Sequence, residues 1–112
     1  MIQVPVAFAW VTLLAFLRLS TSSRPLRQPY TIAEASAIVD ELISRPNVYL
    51  LRPSDRHWGI LQKLLLQGQA SGNLVMDAHL AALAIEHGAL LCTTDRDFAR
   101  FPGLRWENPL SA

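Results

Sequence analysis

Cysteine and lysine each occur once in this chain, as Cys92 and Lys63. A lone cysteine excludes an internal disulfide and permits a reducing compartment. The other fixed cations are nine arginines. Arginine suits bidentate phosphate contacts, although the same skew arises from genome composition. The net charge is only +1, so any case for nucleic-acid binding has to be local. No glycine-rich phosphate loop of either standard pattern occurs, and no His–His or Cys–His spacing suits zinc. Ser71 and Cys92 lack any sign of an activating partner, which argues against nucleophilic catalysis. The longest apolar run, residues 2–17, is interrupted by Gln3, Pro5 and Thr12. It falls short of the roughly 20 residues of a membrane span. An export signal would carry positive charge ahead of its apolar stretch, and here none precedes Arg18. The run is read as a strand followed by a buried helix, with no membrane contact.

The composition, 51% hydrophobic and 17% charged, is that of a globular chain, and its length allows one domain. Residues 2–7 (IQVPVA) can form a strand, with Pro5 awkward at its middle. Residues 9–20 are apolar on nearly every face, as in a helix buried on several sides. Residues 22–29 read as a loop. Thr31 and Glu34 form a capping box for a helix over about 32–44, with Asp40 and Glu41 on its solvated side. Residues 48–51 (VYLL) are β-prone. Ser54 or Asp55 can cap the next helix, which carries His57, Trp58, Leu61, Leu64 and Leu65 along one side. A further helix runs from about Met76 to a stop at Gly88, with His87 in its last turn. Residues 89–93 (ALLCT) are a buried-strand candidate and 104–106 a possible edge strand. Strands alternating with helices imply parallel pairing and a three-layer α/β/α sandwich.

Three acids stand out by placement. In open parallel sheets, ligands gather beyond the carboxyl ends of the strands. Asp95 and Asp97 stand just past the run 89–93. Asp77 opens a helix, where the dipole favours a carboxylate. Hard cations such as Mg2+ and Mn2+ take such oxygen ligands together with water and substrate phosphate. Each acid also has a plain structural reading: Asp77 as a helix-start acid, Asp95 as an Asx turn, Asp97 as a cap for a turn beginning at Phe98. His57, His79 and His87 are weaker signals, and His79 points away from the Asp77 side of its helix.

The segment DAHLAALAIEHGALLCTTDRDFARFPGLRWENPL, residues 77–110, closely resembles the C-terminal half of VapC-like toxins of the PIN-domain family. WVTLLAFLRLST, residues 10–21, is similar to the early helix of that group. The resemblance implies a PIN-like sandwich and a Mg2+- or Mn2+-dependent endoribonuclease, the toxic half of a toxin–antitoxin pair in a bacterial cytoplasm. Carried over by position, Asp77, Asp95 and Asp97 would be catalytic, with Asp77 and Asp95 holding the metal. Thr94, Arg96 and Arg100 would contact the RNA substrate. A cognate antitoxin is implied, and a homodimer is a further partner in view. Two departures accompany the match. The family opens with a strand bearing an Asp-x-Asn pattern, and this chain is read as an N-terminally truncated domain lacking it. Many members also place a Glu in the early helix where this chain has Ala15. The rival readings are a catalytically inactive remnant and an antitoxin-binding module using Trp10, Phe16, Trp58 and Trp106, aromatics that are otherwise expected in the core. An in-frame Asp-x-Asn strand upstream of Met1 would favour the enzyme.

Overall fold

A computed structural model describes residues 4–24 and 28–110, so Ile2, Gln3 and residues 25–27 of the expected first strand and loop lie outside the described residues. The described residues divide into two compact units, meeting in sequence between Leu51 and Arg52. Both are built from parallel strands and helices, as the sequence implies.

In the first unit β1 (Val6–Ala9) leads into α1 (Trp10–Ser20), then α2 (Ile32–Ile43) and β2 (Val48–Leu51). The ladder begins after Pro5 because proline has no N–H to donate; Val6 donates to the Asn47 carbonyl at 2.9 Å. The strand is therefore displaced toward the helix relative to residues 2–7. β1 and β2 pair in parallel, from Val6 opposite Val48 to Ala9 opposite Leu51. α2 carries the expected capping box: Thr31 Oγ1 accepts from the Glu34 N–H at 3.1 Å, and Glu34 Oε1 accepts from the Thr31 N–H at 2.9 Å. Loss of this cap in Thr31→Ala should lower stability by about 1 kcal/mol, read as a small drop in the urea midpoint. An unchanged midpoint would mean that packing alone holds the helix start. Ala35 and Val39 face inward while Asp40 and Glu41 are solvated, as expected. α1 departs from expectation. Leu13 is buried, but Trp10, Leu14 and Leu19 are exposed, because only one face of this apolar helix has a partner among the described residues.

The second unit pairs α3 (His57–Gln67) with α4 (Leu74–Glu86), followed by β3 (Leu91–Cys92), a short 3-10 helix (Arg96–Arg100) and β4 (Trp106–Glu107). Ala78, Ala81 and Ala82 let α3 approach α4 closely, and Leu64, Phe98 and Phe101 complete the core. β3 and β4 pair in parallel, Leu91 opposite Trp106. The strands thus form two separate two-stranded sheets among the described residues. The strand expected at 89–93 is only two residues long and its Cys92 is exposed, since β4 is its one described ladder partner and only Leu91 turns toward the core. α4 starts at Leu74, two residues before Met76, and ends as expected before Gly88, whose φ of +64° suits glycine. The cap expected of α3 is also different. Arg56 holds the cap position, and Ser54 Oγ accepts the Arg56 N–H instead. Trp58 is exposed, not core, because the buried side of α3 runs through Leu64; Trp106 packs against the core as expected. No helix among the described residues is long and apolar enough to cross a membrane.

Candidate metal centre

Asp77 sits in the first turn of α4 and is half-buried. Asp95 precedes the 3-10 helix in extended conformation, and its Oδ1 accepts the Asp97 N–H at 2.8 Å. This is the Asx turn that residue type alone allows at that position. The Asp95 N–H in turn donates to Thr93 Oγ1 at 3.1 Å. The turn presents Asp95 and Asp97 together, and one carboxylate oxygen from each of Asp77, Asp95 and Asp97 lies within 4.8 Å of the others. All three acids singled out by placement therefore converge.

Octahedral oxygen ligands at about 2.0–2.1 Å from Mg2+ lie at most about 4.2 Å apart, so small side-chain rotations bring these oxygens to one ion. The donor set is all carboxylate, which suits a hard cation and not zinc. Electrostatics point the same way. Burial, then Asp95 and Asp97, push the Asp77 carboxyl above its usual range, while Arg100 opposes the rise. A divalent cation would relieve that repulsion.

Thr94 and Arg96 are exposed on the segment that bears Asp95 and Asp97. Arg100 is engaged by the protein itself, its NH1 donating to the Gly68 carbonyl at 3.1 Å and its Nε to the Asp97 carbonyl at 3.3 Å. Ala15 lies midway along α1, in the first unit, and brings no acid there. Glu34 is occupied by its capping box, and Glu41 by an ion pair with Arg45 at 2.8 Å.

A second polar cluster went unforeseen. The Glu86 side chain is fully buried at the end of α4. Its Oε1 accepts the Ser54 N–H at 2.6 Å, and its Oε2 accepts from His57 Nδ1 at 2.6 Å. His57 Nε2 meets His79 Nδ1 at 3.0 Å, and the Arg56 guanidinium donates to the Glu86 carbonyl at 2.7 Å. His79 thus turns toward α3 and away from the acids, in keeping with its spacing from Asp77. One signal was available in the sequence: a carboxylate in the last turn of an apolar helix opposes the helix dipole and needs partners.

The pH response follows from this cluster. Burial tends to raise Glu86, but the Ser54 N–H and the His57 imidazole outweigh it and hold the carboxyl below its usual range. Burial and then His57 hold His79 below its ordinary 6.5. In both cases the unfolded chain takes the proton first, so acidification favours unfolding. Stability should be full above pH 6.5, fall as His79 is forced to charge, and fall again below the ordinary glutamate value of 4.5. Melting temperatures across this range should show the upper phase removed in His79→Asn. An identical slope in that variant would assign the loss to other groups.

Parallel α/β units with acids converging beyond a strand end are the architecture of the PIN domain, whose family profile matches residues 7–104. The chain belongs to the PIN-domain family and within it is VapC-like. It is 44% identical over 104 residues to Ribonuclease VapC37 of Mycobacterium tuberculosis, covering 93% of this chain and 72% of that protein. It is 41% identical over 105 residues to Ribonuclease VapC33 of the same species, covering 94% and 73%. Among solved structures it is similar to VapBC2 from Rickettsia felis bound to a DNA fragment from their promoter, with a TM-score of 0.66 and 21% identity over 93% of this chain and 74% of that one. DNA-bound VapBC from Salmonella typhimurium gives a TM-score of 0.61 and 25% identity over 91% and 74%.

Proposed function

We propose that this chain is a divalent-metal-dependent endoribonuclease, the toxin of a toxin–antitoxin pair acting in the cytoplasm. The observation that carries the reading is the convergence of Asp77, Asp95 and Asp97 in a chain whose relatives are VapC ribonucleases. Asp77 and Asp95 would hold Mg2+ or Mn2+, with Asp97 in reach. Bound there, the cation supplies the positive charge that acidifies water and offsets charge on the phosphate. Asp97, its main chain tied to Asp95, would help take the proton of the attacking water. Thr94 and Arg96, exposed beside it, serve as contacts to the RNA backbone. Single-stranded or looped RNA fits a site that reads shape and exposed bases.

Cleavage of a structured RNA should therefore need Mg2+ or Mn2+ and stop in EDTA. Cleavage that persists in EDTA would remove the metal from the mechanism. A carboxylate cluster also attracts basic side chains, so the partner is expected to be a small antitoxin with an arginine- or lysine-bearing tail across the acids. Co-expression with the neighbouring gene should yield a complex at low salt, and failure to copurify would reject that partner. Gel filtration of the chain purified without that partner tests for a homodimer by its mass.

A further inference from the structure

Arg100 closes the 3-10 helix, and its guanidinium is anchored by main chain on two sides. NH1 donates to the carbonyl of Gly68, the residue capping α3, and Nε donates to the carbonyl of Asp97. The Gly68 anchor is itself tightly seated. A Cβ added there would meet the Leu64 carbonyl oxygen at 2.8 Å and the Phe101 ring at 3.0 Å. Both acceptors are neutral, and no ion pair among the described residues engages Arg100. Its charge is therefore held beside the acids without being cancelled by contact with one of them. The Nε contact to the Asp97 main chain, at 3.3 Å, is what keeps that charge at the cluster. An arginine that grips substrate phosphate presents its fork of donors to the ligand. This one has donors on two of its three nitrogens committed to the protein.

We infer that Arg100 is the resident counter-charge of the Asp77–Asp95–Asp97 cluster, positioned by the Gly68 and Asp97 carbonyls, and that it sets cation affinity instead of gripping the RNA. The inference rests on the reading of the cluster as a cation site. In the metal-free protein the guanidinium offsets the repulsion among three carboxylates. When a cation arrives, the same charge opposes it, so Arg100 weakens metal binding while protecting the empty site.

The test compares wild type with Arg100→Gln and Arg100→Lys, measuring Mn2+ binding from the loss of the free-ion EPR signal. At low salt the Gln variant should bind Mn2+ about three- to tenfold more tightly, as loss of one nearby positive charge predicts. That gain should shrink at high salt. The Lys variant, which keeps the charge, should stay near wild type. Melting in EDTA should show the Gln variant destabilised, and saturating Mn2+ should close most of the gap, which loss of a purely structural contact would not do. Unchanged or weaker Mn2+ binding by the Gln variant would overturn the inference. So would a raised KM for RNA at saturating Mn2+ with unaltered Mn2+ affinity, the mark of a phosphate contact. If wild type itself binds no Mn2+ and Asp77→Asn behaves like it, the cation-site reading fails and this inference falls with it. Wild-type binding without a Gln effect sinks the counter-charge alone.

Discussion

Asp77→Asn should lower RNA cleavage by about a hundredfold or more, the scale on which removing one preorganised charge-stabilising group acts, without unfolding the protein. The second half of that expectation comes from the sign of the Asp77 shift. Its carboxyl is pushed above the usual range by burial and by Asp95 and Asp97, so the ionised form is less at ease in the folded state than in the unfolded one. Asparagine keeps the shape and removes the charge. In EDTA the variant should therefore melt at or above the wild-type temperature. The rise in melting temperature that saturating Mn2+ gives wild type, through binding to the native state, should be largely absent from the variant. Near-normal cleavage in Mg2+ would exclude Asp77 from the site. A variant melting well below wild type in EDTA would show that Asp77 is a structural acid.

Glu86→Ala should have the largest effect on stability. The substitution leaves His57 Nδ1 and the Ser54 N–H without their acceptor in a site where the carboxylate is fully buried. Leaving a buried donor without its acceptor costs about 1–3 kcal/mol for each group, against a total of about 5–15 kcal/mol for a typical domain. The variant should accumulate poorly or melt far earlier. Glu86→Gln should be milder, because its amide oxygen can still accept from Ser54 while the amide N–H donates to His57 Nδ1. His57 then offers its Nε2–H to His79. Equal melting of the Ala variant and wild type would show that water replaces the carboxylate at no cost.

The legible and illegible parts of this chain divide by distance along it. The capping box of α2 is written in residues three apart and is found as expected. The same holds for β2 at residues 48–51 and for the stop of α4 before Gly88. The candidate acids were legible for a related reason. Asp77 stands at a helix start and Asp95 just beyond a strand, and element ends can be read locally. Glu86 was not, because its meaning depends on α3 bringing His57 and Ser54 to the far end of α4. Nothing in the pattern around Trp58 reveals that the neighbouring Leu64 line is the buried one. β3 shortened for a similar reason: how far a strand extends is decided by its ladder partner, not by its own apolar run.

The hydrogen bond from the Asp97 main chain to the Asp95 side chain bears on the order in which the site can assemble. Two of the three acids are paired by a contact spanning two residues, so their arrangement asks almost nothing of loop-closure entropy. Only Asp77 must be delivered by tertiary structure. A short peptide carrying the TTDRDF segment could already sample this turn before α4 docks, offering a preformed pair of carboxylates. The complete site would then mature in one step, when the helix start swings its single carboxylate into reach.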